Sequence, residues 1–216
     1  MSEYHKIQSV FFRDPDNNNR TLLEGQWSLP EFEYLAHNKW EYTEKVDGTN
    51  IRVIYTPGDD QAEGRVTFKG RTETSQMPAL LVDELRNIFD KPEDMFAQDL
   101  NVPIVLYGEG YGAKIQKGGG NYLQGQSFVL FDVQIDGWWL RRKDVEDVAD
   151  KLKLEVVPVI GTGDLYEMVE MCRDGIDSRW GDFQAEGIVA RPQTELCTRG
   201  GQRVITKCKC KDFREI

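Results

Sequence analysis

The sequence predicts an α+β fold of mostly antiparallel sheets flanked by helices, and three observations predict it. Strand-like apolar runs are many and short, at residues 51–55, 65–69, 103–107, 127–135, 138–142, 154–160, 186–191 and 203–210. Asp-Gly dipeptides stand between such runs at Asp47-Gly48 and Asp136-Gly137, and this dipeptide favours two-residue hairpins. Three segments carry a helical pattern, too few for one helix between each pair of strands.

The elements follow in chain order. A polar turn cluster, "RDPDNNNR", occupies residues 13–20. The run "KWEYTEK" reads as a strand ending on Lys45, and "TNIRVIY" follows after the turn Val46-Asp47-Gly48. A hairpin with Lys45 at its tip is expected. The cluster "TPGDDQAEG" turns the chain into the run at 65–69. A first helix is expected from Pro78, with Leu81, Leu85, Ile88 and Phe89 on one face and Pro92 beyond its end. Strands at 103–107 and 127–135 lead to the Asp136-Gly137 hairpin and the run at 138–142. A second helix carries Val145, Val148 and Leu152 on its apolar face. After the run at 154–160, Asp164 and Glu167 form a capping-box signature. The third helix buries Leu165, Met168, Val169 and Cys172, and Gly175 is placed to end it.

Composition narrows the function classes. The 216 residues, 39% of them hydrophobic, suit one domain with a substantial core. No apolar run approaches the roughly 18 residues of a membrane span, and the start "MSEYHKIQSVFF" is not a signal peptide. Four cysteines, Cys172, Cys197, Cys208 and Cys210, are too few for a disulfide scaffold in a chain this long. An intracellular, cytoplasmic and reducing setting is expected. Two histidines, His5 and His37, argue against a histidine-based metal site or triad. A net charge of −10 excludes a protein that coats nucleic acid nonspecifically. The end of the chain is nevertheless basic. It carries Arg199, Arg203, Lys207, Lys209, Lys211 and Arg214 against Asp212 and Glu215.

Four further stretches concentrate polar chemistry. "FKGRTET" places Arg71 after a strand, and "LYGEGYGAKIQKGGG" places Glu109 just past a strand among glycines. "QAEGIVARP" sets Glu186 at the start of an apolar strand. In "VITKCKCKDF" lysine and cysteine alternate, so a strand would show Lys207, Lys209 and Lys211 on one face and turn Cys208 and Cys210 into the core.

Together and in this order, these stretches resemble the covalent nucleotidyltransferase superfamily of ATP-dependent polynucleotide ligases and capping enzymes. "KVDG" resembles its motif I, "YGEG" motif III, "SFVLFDV" motif IIIa, "EGIVARP" motif IV and "KCK" motif V. The asparagine of "KVDGTN", the "IQK" and the "KCKCKDF" stretch look most like the nick-sealing RNA ligase 2 family. Asp47 is the departure, because "KxDG" is the commoner DNA-ligase form.

The resemblance implies a single nucleotidyltransferase (adenylation) domain over residues 1–216, with ATP in a cleft and no C-terminal oligonucleotide-binding domain in the chain. It implies an ATP-dependent RNA ligase whose Lys45 takes AMP from ATP, passes it to a 5′-phosphate end and seals that end to a 3′-hydroxyl. Lys45, Lys207, Lys209 and Glu186 are the expected catalytic residues. A lysine attacks phosphorus only as the neutral amine, so cations beside it are useful. Lys207 and Lys209 would supply that field. Glu186 is the expected ligand for Mg²⁺ or Mn²⁺, which need few carboxylates beside phosphate and water. Glu44, Val46, Asn50, Arg71, Glu109 and Phe128 are expected around the nucleotide, together with Lys207 and Lys209. Glu44 would accept from the adenine amino group, Glu109 would hold the ribose, and Phe128 would stack on the base, with Phe131 on the opposite strand face as its substitute. Lys114, Lys117 and Lys211 are expected strand contacts. The implied partner is nicked duplex RNA or an RNA/DNA hybrid, bound by a monomer. Two other readings stand beside this one: the adenylation domain of an ATP-dependent DNA ligase, and a non-catalytic nucleotide- or RNA-binding relative.

Overall fold

A computed structural model describes residues 3–58, 63–90 and 101–213. Pro92, Arg214, Glu215 and part of the "TPGDDQAEG" turn lie outside the described residues. In chain order the strands are β1 (Gln8–Ser9), β2 (Phe11–Arg13), β3 (Leu22–Trp27), β4 (Trp40–Glu44), β5 (Thr49–Thr56), β6 (Arg65–Gly70), β7 (Ile104–Gly112), β8 (Gln126–Ile135), β9 (Trp138–Trp139), β10 (Glu155–Val156), β11 (Val159–Gly163), β12 (Gly187–Pro192) and β13 (Thr206–Lys209). The α-helices are α1 (Pro30–Tyr34), α2 (Ala79–Ile88), α3 (Gly119–Tyr122), α4 (Arg142–Leu152) and α5 (Leu165–Asp174). This is the expected α+β class. Among the described strand pairs only β1–β13 and β8–β10 run parallel.

The chain divides into two compact units. The first holds Met1–Tyr4 and Asp47–Val157. Its sheet has the order β10-β8-β7-β5-β6, with β9 paired to β8. The apolar face of α2, Leu81 and Leu85, and that of α4, Val145, Ala149 and Leu152, join Ile51, Val53, Leu106, Phe128 and Leu130 in one core. The second unit holds His5–Val46 and Pro158–Ile216, with a sheet in the order β1-β13-β12-β4-β11 and a separate β2–β3 ribbon. Its core collects Trp40, Tyr42, Ile188 and Cys208 with Leu165, Met168, Val169 and Cys172 of α5. The capping box opens α5 as expected. Asp164 accepts from the backbone N–H groups of Tyr166 and Glu167, and the Glu167 carboxylate accepts from the Asp164 N–H at 2.9 Å.

The hairpin expected at Val46-Asp47-Gly48 does not form. β4 pairs with β11 and β12, while β5 pairs with β6 and β7, so both edges of each strand are already taken. A two-residue hairpin of the favoured kind also needs positive φ at its centre. Asp136 (φ 49°) and Gly137 (φ 82°) have it and turn β8 into β9, whereas Asp47 and Gly48 do not. The chain instead leaves one unit after Val46 and enters the other. Gly48 is required there for close approach, since a Cβ would stand 2.3 Å from the Gly110 carbonyl oxygen.

Other boundaries shift for local reasons. The run at 103–107 continues as β7 to Gly112, which puts Glu109 inside a strand rather than past its end. The run at 154–160 breaks into β10 and β11 at Val157-Pro158, where proline cannot donate to a ladder. The run at 138–142 is strand only at Trp138–Trp139, because α4 begins at Arg142. β13 stops at Lys209, and Cys210–Phe213 form a 3₁₀ turn that takes Lys211 off the strand.

Candidate active site

Three adjacent strands of the second unit bring the lysines and Glu186 together. β4 and β12 run antiparallel with Glu44 opposite Ile188, and the Lys45 N–H donates to the Gly187 carbonyl at 2.9 Å. β12 pairs with β13 so that Gly187 faces Lys209. The Cys210 N–H donates to the Glu186 carbonyl at 3.0 Å. Gly187 permits this closeness: a Cβ there would lie 2.1 Å from the Cys208 carbonyl oxygen. Lys45, Glu186 and Lys209 are therefore neighbours across the sheet, although 164 positions separate the two lysines.

The side chains complete the arrangement. Lys45 Nζ donates to Glu186 Oε2 at 2.5 Å, and Lys209 Nζ stands 2.5 Å from the other oxygen, Oε1. Glu186 is 12% exposed at its side chain and Lys45 is 20% exposed, so the pair is shielded but reachable. Burial raises the Glu186 carboxyl, but Lys45 and Lys209 together outweigh it and hold the group below the ordinary carboxylate value. Lys207 joins from the same face of β13, with the buried Cys208 turned the other way. Burial, followed by the charges of Lys45, Lys209 and Arg13, lowers the Lys207 ammonium to about 8. Two ammonium groups thus share one carboxylate with a third beside them, and the surplus positive charge suits an anion with several oxygens.

The lowered Lys207 has a measurable consequence. Between its folded value near 8 and the ordinary lysine value, the unfolded chain binds a proton that the folded chain does not. Stability must then rise with pH across that window. Relative to Lys207→Met, the wild type is expected to gain on the order of 2 kcal/mol of unfolding free energy between pH about 8 and pH about 10.4. Urea unfolding at both ends of the window checks this. Parallel pH dependences for the two proteins would refute it.

The remaining expected site residues divide between the two units. Glu44 is 1% exposed and is already engaged: Ser178 Oγ donates to Oε1 at 2.7 Å, and the Arg179 N–H donates to Oε2 at 2.8 Å. Burial raises its carboxyl despite these donors. These two bonds anchor the strand end before Lys45. Val46 is buried, and its carbonyl receives a weak contact from Lys45 Nζ at 3.5 Å. In the first unit, Asn50 and Glu109 are directly opposite each other on β5 and β7. Arg71 is exposed after β6. Lys114 and Lys117 lie in the turn after β7, where Gln116 Nε2 donates to the Gly48 carbonyl at 3.0 Å.

Phe128 departs from expectation. It is 3% exposed and packs edge-on to Phe89, with centroids 6.3 Å apart and its ring tip over Gly108. The ring is a core residue with no open face for a base. Phe131, on the other side of β8, is half-buried against Tyr4. The sequence reading missed Ser178, Arg179 and Arg13. Neither "DSRW" nor "FFRD" carries a spacing signal, because their partners lie more than 130 positions away.

A divalent ion fits Glu186 only in part. Among the described residues no group of three or more His, Cys, Asp or Glu side chains is gathered to hold a metal. Glu186 would contribute a single carboxylate, sufficient for Mg²⁺ or Mn²⁺ when phosphate oxygens and water fill the remaining positions. The ion would displace one lysine from the oxygen it now holds.

The chain is similar to known proteins in both sequence and fold. A sequence model of the RNA ligase family matches residues 38–209. Among solved structures, a Naegleria gruberi RNA ligase mutant with ATP and Mn is similar with a TM-score of 0.66 and 21% identity, over 97% of this chain and 56% of that one. The same organism's RNA ligase with PPi gives 0.63 and 21%, over 97% and 58%. A further mutant with AMP and Mn gives 0.66 and 19%, over 97% and 56%. At such identities the likeness is one of fold, and this chain spans just over half the length of those chains.

Proposed function

Because the chain belongs to the RNA ligase family, we propose that it is an ATP-dependent RNA ligase acting through a lysyl-adenylate on Lys45. The observation that carries this is the sharing of Glu186 between Lys45 and Lys209, with Lys207 beside them. In the first step Lys45 Nζ gives up one proton to solvent to become the neutral amine, attacks the α-phosphorus of ATP, and loses a second proton to solvent or the departing pyrophosphate. A P–N bond forms, the bond to the β-phosphate oxygen breaks, and pyrophosphate leaves with the electron pair. AMP then passes from Lys45 to the 5′-phosphate of an RNA end, making a pyrophosphate linkage. Finally a 3′-hydroxyl attacks that 5′-phosphate, the phosphodiester forms, and AMP leaves.

Each residue of the cluster has a task in this sequence. Glu186 holds Lys45 on the strand side until substrate arrives. Lys207 and Lys209 face the charge that grows on the phosphates, in a site where fixed donors are worth more than in water. Mg²⁺ or Mn²⁺ bound at Glu186 would supply further neutralisation of phosphate charge. Asn50 and Glu109 are offered as ribose contacts on the strength of their pairing across β5 and β7. We assign the physiological end as a nick whose 3′-hydroxyl strand is RNA, on the resemblance of "KVDGTN", "IQK" and "KCKCKDF" to nick-sealing RNA ligases.

The test is a set of 5′-phosphorylated nicked duplexes that differ only in the sugars before the nick. Ends with ribose are expected to be sealed at least ten times faster than all-DNA ends. Equal or faster sealing of the DNA nick would overturn the RNA assignment in favour of a DNA-ligase adenylation domain.

A further inference from the structure

A groove of about 900 Å³ in the second unit starts at Lys207 and Lys209 and continues past residues that the chemistry above does not use. Its charge is one-sided. Lys6, Arg13, Arg20, Lys207, Lys209 and Lys211 line it, against Asp212 as the single acidic lining residue. Asp212 is itself spent. Arg13 donates to it through Nη1 at 3.1 Å and Nη2 at 2.9 Å, and Arg13 Nη1 also donates to the Asn19 carbonyl at 3.1 Å. This fixes the guanidinium in the groove wall. Such a concentration of cations in a chain of net charge −10 is not a by-product of composition.

The second observation is Phe12. β2 turns Phe11 into the core and leaves Phe12 53% exposed, in the same groove as the cations. An exposed aromatic ring beside a track of lysine and arginine is the arrangement that holds single-stranded nucleic acid, phosphates on the cations and a base on the ring. A pyrophosphate or triphosphate would use the cations but has no use for Phe12.

We infer that this groove is a binding track for an unpaired stretch of the RNA strand, with backbone phosphates on Lys6, Arg20 and Lys211 and a base stacked on Phe12, leading to the phosphate end held at Lys207 and Lys209. The inference rests on the reading of the chain as an RNA ligase. It explains how an acidic protein grips a polyanion, through one local stripe whose binding weakens with salt in proportion to its few phosphate contacts.

The experiment measures binding of a fluorescent, 5′-phosphorylated single-stranded RNA oligomer over a range of salt, alongside self-labelling by ATP. The double variant Lys6→Glu/Arg20→Glu is expected to lose at least tenfold in affinity at low salt. Its log–log salt slope should fall by about 1.4, at about 0.7 per lost phosphate contact on a single strand. Phe12→Ala is expected to lose about 5- to 150-fold, the range for one stacked base, and Phe12→Trp to retain affinity and show fluorescence quenching by RNA. Self-labelling should stay within twofold of wild type throughout, since none of these side chains touches Glu186 or Lys45. Unchanged affinity and slope in the variants, or no measurable binding by the wild type at low salt, overturns the inference. So does loss of labelling with RNA affinity intact, which would assign the groove to the triphosphate. If the wild type binds RNA through these residues but takes no label from ATP, the groove stands and the ligase reading falls.

Discussion

Lys45→Ala is expected to abolish transfer of label from α-labelled ATP to the protein, with at least a 10³-fold loss and no residual slow labelling. The size of the effect follows from the kind of role. A residue that stabilises charge can be removed and leave a weakened reaction, but a residue that forms the covalent bond leaves no intermediate at all. Among the side chains around Glu186, Lys45 is the one that motif order singles out. Its backbone is pinned by the N–H bond to Gly187, so the amine is delivered from a fixed strand end. The substitution should leave the fold standing. The side chain is partly exposed and makes one ion pair, and Glu186 keeps Lys209 after it is gone. Thermal unfolding within a few degrees of wild type, combined with complete loss of label, is the expected pair of results. Full labelling of the variant would move the nucleophile to another lysine, Lys207 or Lys209 first. The bond itself offers a second check, because a phosphoramidate on lysine is acid-labile and stable to alkali, unlike an acyl phosphate.

The residues that make this site were legible in the sequence to different degrees, and the difference is physical. Lys207, Lys209 and the buried Cys208 were legible because a strand imposes period two on its side chains, and the alternation in "TKCK" survives in β13 as buried and half-buried positions. Glu186 was legible only through its place in the ordered series of motifs, because a glutamate at the start of an apolar strand is otherwise an ordinary solvated strand end. The caps of α5 and the Asp136-Gly137 hairpin were legible because both are local hydrogen-bond and φ requirements. The turn at Val46-Asp47-Gly48 was misread because strand partners are chosen by tertiary packing. Asp-Gly marks a change of direction, and nothing within six residues says whether the next strand returns to the same sheet. The surroundings of Glu44 and Phe128 were not legible for a related reason. A motif states that a glutamate or a phenylalanine is present, but whether its side chain faces ligand or core depends on Ser178, Arg179, Phe89 and Gly108, none adjacent in sequence.

The second large effect is expected at Glu186. Removing Lys45 deletes one of three cations, but removing Glu186 deletes the anion that holds them together. Glu186→Ala leaves Lys45 and Lys209 without their shared acceptor and exposed to repulsion from each other and from Lys207, so the amine loses its aim. Loss of one preorganised group of this kind costs roughly 10²–10³ in rate, and a similar loss of labelling is expected here. Glu186→Gln separates the two contributions. It keeps the length and one acceptor oxygen but not the charge, so it should retain stability better than Glu186→Ala while remaining strongly impaired in labelling. The stability effect has a defined sign in pH. Because the lysines hold the folded carboxyl below its ordinary value, the stabilisation from this group is full above about pH 4.3, the unfolded value. It fades as pH falls through the lower folded value. Wild type and Glu186→Gln are therefore expected to differ in unfolding free energy at pH 7 and to converge in acid. A difference that persists unchanged below pH 3 would mean that shape, and not charge, is what Glu186 contributes. Labelling by Glu186→Gln at the wild-type rate would remove the carboxylate from the chemistry and leave the lysines of β13 to act alone.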